Sequence, residues 1–72
     1  MDIHHLARMA NQIGEFFVSA NSDSEAATIS TSQHIRGYWD ARMRRQIVEY
    51  AKTDGAELSE VVRAAILKLE TK

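Results

Sequence analysis

Ile3-His4-His5-Leu6-Ala7-Arg8-Met9-Ala10-Asn11-Gln12-Ile13-Gly14-Glu15-Phe16-Phe17 decides the fold class. Within it Ile3, Leu6, Ala10, Ile13 and Phe17 recur at steps of three, four, three and four, and Met9 and Phe16 widen the stripe. This is the period of an amphipathic helix with one apolar face turned to a core. Asp2 is placed to cap it, because its carboxylate can accept the free amide hydrogens of the first turn and lies at the positive end of the helix dipole. Gly14 costs about 1 kcal/mol relative to alanine inside a helix. It either marks the close approach of another backbone or plays no special part, and the second reading is the simpler.

Working outward, Asn21-Ser22-Asp23-Ser24 reads as a loop, and Ser22 with Glu25 fits a capping box that starts a second helix near Ser24. The hydroxyls of Thr28, Ser30, Thr31 and Ser32 compete for backbone partners, so this helix depends on packing through Ala27 and Ile35. Gly37 is suited to the left-handed conformation that ends a helix. Asp40 caps a third helix with Met43, Ile47, Tyr50 and Ala51 on one face, and Asp54-Gly55 stops it. Ser59 caps a last helix with Val62, Ala65, Ile66 and Leu69 on one stripe; Val61 and Leu67 lie off its centre. With no proline and no alternating strand pattern, the sequence predicts an all-α fold: a single domain over residues 1–72, built as a small bundle of about four short helices. Its sharpest corner is expected between Gly37 and Asp40.

A chain of 72 residues buries only about 60% of its unfolded surface, so its core is thin and outside support is expected. The absence of cysteine excludes disulfides, thiolate metal sites and a cysteine nucleophile. A protein partner is therefore the leading support. Nine Lys and Arg against ten Asp and Glu give a net charge of -1, which supplies no global field toward nucleic acid or anionic lipid. The segment Met1-Asp2-Ile3-His4-His5 lacks the features of a secretory signal, and no run approaches the roughly 18 apolar residues of a membrane span. A cytoplasmic chain with no nucleic-acid or membrane partner is expected.

No catalytic or metal-binding set emerges. His4 and His5 are adjacent, so on a helix they point about 100° apart and do not share an ion, and recruiting His34 would require two helices to meet there. The serines fall in capping contexts without a nucleophile elbow, and no glycine-rich phosphate loop is present. The informative segment is His34-Ile35-Arg36-Gly37-Tyr38-Trp39-Asp40-Ala41-Arg42-Met43-Arg44-Arg45, where two aromatics and four arginines flank a helix corner. Trp, Tyr and Arg are the residues enriched at interface hot spots. Trp39 is the leading anchor, with the bundle's own core as its other possible place. The arginines are either a solvated face or bidentate partners for carboxylates.

Three blocks, Leu6 to Ile13 with Phe16-Phe17, His34 to Arg44, and Leu58-Ser59 with Val62 to Ala65, resemble in order and spacing the delta subunit of NAD-dependent, molybdenum- or tungsten-containing formate dehydrogenases. The resemblance covers nearly the whole chain. Ala41 and Glu60 depart from it, standing where that family commonly has proline. The resemblance implies an accessory subunit that supports assembly or stability, holds no cofactor and catalyses nothing itself. It implies larger partner subunits, the catalytic one foremost, that hold a pterin-bound molybdenum or tungsten, iron–sulfur clusters and FMN, with NAD as substrate. It carries over Met9, Asn11 and Gln12, and Trp39, Arg42, Arg44 and Arg45 of the stretch from Trp39 to Arg45, as candidate partner contacts; His34, Arg36 and Tyr38 of the aromatic and arginine-rich segment complete the candidate set, with no catalytic, cofactor or metal residue among them. An alternative reading takes Met43 to Leu69 as the helix pair of a ribbon-helix-helix DNA-binding protein, which requires a strand just before Met43.

Overall fold

The computed structural model describes residues 2–70 and contains four α-helices: α1 Ile3–Ala20, α2 Ser24–Tyr38, α3 Ala41–Thr53 and α4 Glu60–Leu67, followed by a 3₁₀ turn Lys68–Glu70. No strand occurs among the described residues, and none of their helices is long and apolar enough to cross a membrane. The all-α reading holds. The ribbon-helix-helix alternative does not, because α2 and a short corner occupy the place its strand requires.

Three of the four helix starts are capped where the sequence puts them. The Asp2 carboxylate accepts from His4 N–H at 3.2 Å, the Asp40 carboxylate from Met43 N–H at 2.9 Å and the Ser59 hydroxyl from Val62 N–H at 3.3 Å. The cap of α2 is Asp23 rather than Ser22: its carboxylate accepts from Glu25 N–H at 3.3 Å. An acidic side chain one residue nearer the helix reaches the same orphan amides and carries a favourable charge for the dipole. The hydroxyls within α2 turn back on their own helix, Thr28 onto the Ser24 carbonyl at 2.9 Å and Thr31 onto the Ala27 carbonyl at 2.7 Å. This satisfies them while Thr28, Thr31 and Ser32 are buried with Ala27 and Ile35.

Gly37 is not a left-handed terminator. α2 runs through it to Tyr38, and the chain leaves the helix at Trp39 in extended conformation, φ -88° and ψ 142°. The left-handed glycine is Gly55, at φ +64°, where a Cβ would lie 3.1 Å from the Ala51 carbonyl. It ends α3 just after Asp54, at the stop the sequence marks.

The core gathers Leu6, Ala7 and Ala10 of α1, Ile35 of α2, Ile47 and Ala51 of α3, and Val62 and Ile66 of α4, with Trp39 and Leu58 closing it from the connections. α4 packs against all three other helices. Its contact with α1 is made at Gly14, where a Cβ would lie 2.3 Å from Val62 Cγ2. The reading of Gly14 as a position without a role is thus corrected: it admits the side chain, rather than the backbone, of a neighbouring helix. Val62 is fully buried and β-branched, with one strongly preferred rotamer, so it has no room to yield.

Gly14→Ala should therefore destabilise the chain by about 1 kcal/mol, because overpacking of roughly 1–3 kcal/mol outweighs the gain of about 1 kcal/mol in helix propensity. In a Val62→Ala background the same substitution should become neutral or stabilising. Urea denaturation of the four chains in that cycle reads the sign directly.

Candidate protein interface

Two separate surfaces collect most of the residues singled out by sequence, and a third group proves to have internal work. The first surface forms where α2 crosses α1. Met9, Gln12, Ile13, Phe16, Phe17 and His34 line an open groove of about 370 Å³. Phe16 and Phe17 meet edge to face at 5.1 Å between ring centroids, Phe17 meets His34 at 5.9 Å, and His34 stacks on Tyr38 at 4.5 Å with 28° between planes. These spacings lie in the attractive range for ring pairs. The result is a ladder of four rings whose two ends are open to solvent, Phe16 at 65% exposure and Tyr38 at 79%.

The sequence explains the ladder's local form. Phe16 and Phe17 are consecutive and so project about 100° apart; with α1 burying Leu6, Ala7, Ala10 and Gly14, Phe17 comes to the edge of the core and Phe16 is carried outside it. On α2, His34 and Tyr38 are one turn apart and stack along the flank that faces α1. Met9, Gln12, His34 and Tyr38 are thus united on one face. Ile13, Phe16 and Phe17 belong with them but read from sequence as core stripe. The available signal was the width of that stripe, which exceeds what one buried face accommodates.

The second surface is the α2–α3 corner. Arg44 Nη1 donates to the carbonyls of Trp39 at 2.6 Å and Arg36 at 3.1 Å, and Arg36 Nη2 donates to the Lys68 carbonyl at 3.2 Å. Arg42 and Arg45 are exposed and make no hydrogen bond or ion pair among the described residues. Lys52, further along α3, pairs with Glu70 at 2.8 Å, and that hydrogen bond and charge raise its pKa above the ordinary lysine value.

Trp39 goes inward. At 5% exposure it sits in the core cluster, so of its two possible places the structure shows the chain's own interior. Its truncation would remove a large buried ring and report on folding before it reported on any contact. Asn11 is also engaged internally: its amide donates to the Glu57 carbonyl at 2.7 Å and accepts from Ser59 N–H at 3.1 Å. The same loop is held by the Tyr50 hydroxyl, which accepts from Glu57 N–H at 3.1 Å, and by His4, whose Nδ1 lies 2.5 Å from Glu57 Oε2. His4 is therefore far from His34, which lies beside Phe17 more than three turns along α1. No group of three or more His, Cys, Asp or Glu side chains converges among the described residues.

The fold and these surfaces define an all-α domain that presents an aromatic face and a basic corner. Compared with known families, it matches the model of the NADH-dependent formate dehydrogenase delta subunit FdsD over residues 5–66, and the chain belongs to that family. No curated protein and no solved structure matches it.

Asn11→Ala should lower stability by about 1 kcal/mol, since two hydrogen bonds that hold the loop before α4 are exchanged for bonds to water. Thermal unfolding measures that loss, and at temperatures where the variant is folded its association with partner subunits should be unchanged.

Proposed function

We propose that this chain is a non-catalytic accessory subunit of a cytoplasmic NAD-dependent formate dehydrogenase, and that it supports assembly or stability by docking its aromatic ladder on a larger subunit, the catalytic one foremost. The observation that carries the proposal is the ladder itself. Phe16 and Tyr38 stand open at its ends, and the groove between them is lined by Met9, Ile13 and Phe17 with no permanently charged side chain. Exposed apolar patches of this kind mark interaction sites, and rigid aromatic side chains give large contact area at low entropic cost. Family membership supports a partner among the other formate dehydrogenase subunits.

On this reading the chemistry belongs to the larger subunits: a pterin-bound molybdenum or tungsten for formate oxidation, and iron–sulfur clusters and FMN for passing electrons to NAD. This chain contributes a shape-matched surface. A core that encloses few large side chains gains stability from any partner that binds the folded state alone, by mass action.

Phe16→Ala and Tyr38→Ala should each weaken association with the larger subunits by about tenfold, as removal of an interface anchor does. The two together should abolish co-purification from cells that express all subunits. Both side chains are exposed, so circular dichroism should show unchanged helicity. Normal co-purification of the folded double variant would place the docking face elsewhere.

A further inference from the structure

The α2–α3 corner carries charge that the chain does not compensate. From His34 to Gln46 it holds Arg36, Arg42, Arg44 and Arg45 against the single carboxylate of Asp40; since the whole chain carries -1, the remainder is net acidic. Asp40 is already engaged in capping α3. The ion pairs among the described residues join His4 to Glu57 and Lys52 to Glu70, so neither involves an arginine.

The four guanidiniums divide by task. Arg36 and Arg44 donate to backbone carbonyls, and Arg44 closes the carbonyl end of α2, where cations are favoured. Arg42 and Arg45 have no such task. With Arg44 they stand at the start of α3, whose first turn contains no acidic residue, at the positive end of the dipole where a cation is disfavoured and an anion favoured. Asp40 already serves the helix end itself, so a carboxylate arriving here would be attracted chiefly by the arginines. Arg44 and Arg45 also line one side of a groove of about 440 Å³ between α3 and the 3₁₀ turn, with Val48 and Leu69 as its apolar part; Glu49 and the Lys52–Glu70 ion pair line the rest, so the uncompensated charge lies at its arginine side.

We infer that this corner is a second docking surface, separate from the aromatic ladder, and that it takes a carboxylate-rich segment of a larger formate dehydrogenase subunit. The inference rests on the proposed function. Arg36 and Arg44, held on carbonyls, fix the positive potential; Arg42 and Arg45 supply guanidinium forks matched to carboxylates in the bidentate mode. The apolar part of the groove suits the side chains of a protein segment, and the net acidity of the remaining chain disfavours a polyphosphate strand. His34 and Arg36 are about 200° apart around α2, which directs the two surfaces to different parts of the partner. The chain then acts as a clamp with two grips.

The test measures affinity for the larger subunits, expressed without this chain, at about 50 and about 500 mM salt, a range over which exposed charges become screened. Wild type should weaken at least tenfold across that range. Arg42→Glu with Arg45→Glu should weaken binding at least tenfold at low salt and lose most of the salt dependence, while Arg42→Lys with Arg45→Lys, which keeps charge and loses the fork, should fall between. Circular dichroism checks that all remain folded. Wild-type affinity and salt dependence in the glutamate variant would overturn this surface and leave the aromatic docking intact, whereas a wild type that does not bind the larger subunits would overturn both. Binding of wild type to duplex DNA as tight as to the subunits, lost in the glutamate variant, would assign the corner to phosphate and overturn the carboxylate partner.

Discussion

The arrangement depends on how α2 is brought to an end. Its last carbonyls would face the corner unsatisfied, and Arg44 takes two of them with one nitrogen. That bond ties the first turn of α3 to the last turn of α2 and fixes the angle between them. With the angle fixed, Trp39 is aimed into the core and Tyr38, one residue earlier, is aimed out of it. A neutral side chain at position 44 would leave those carbonyls to water and loosen the connection that orients both aromatics. The interior and the exposed face are thus set by the same contact.

The opposite side of the bundle is organised by a different economy. Gly14 lets Val62 approach α1 more closely than any side-chain-bearing residue would permit, and Asn11, one turn earlier, holds the loop that leads into α4. Both residues lie on the same helix and both control where α4 arrives. Since α4 packs on every other helix, two small polar or bare positions on α1 govern the seating of the whole core.

Local physics was legible in the sequence, and contacts between distant segments were not. The period of Ile3 to Phe17, the caps at Asp2, Asp40 and Ser59, and the stop at Asp54-Gly55 depend on neighbours within a few residues, and each emerges as read. Gly37 misled because a left-handed glycine is only one way to satisfy terminal carbonyls, and an arginine six residues beyond α2 supplied another. Ser22 misled because Asp23 competes for the same amides. The candidate surface was half visible: Met9, Gln12, His34 and Tyr38 were marked by residue type and family resemblance, yet their meeting in space depends on the crossing of α1 and α2. Phe16 was assigned inward because helical periodicity defines a stripe and not which edge of it the neighbours leave bare. Asn11 was marked without its reason, since its partners lie 46 and 48 positions away.

The exposed ends of the ring ladder bear on how much of this chain a cell can hold. A face bearing Phe16 and Tyr38 in the open offers apolar surface to other copies and other proteins as well as to the partner proposed for it. Production in excess of the partner would therefore carry a solubility cost, and production in deficit would leave partner surfaces bare. With the docking proposed for that face, matched stoichiometry becomes a physical requirement, which favours synthesis of the subunits together and in fixed ratio.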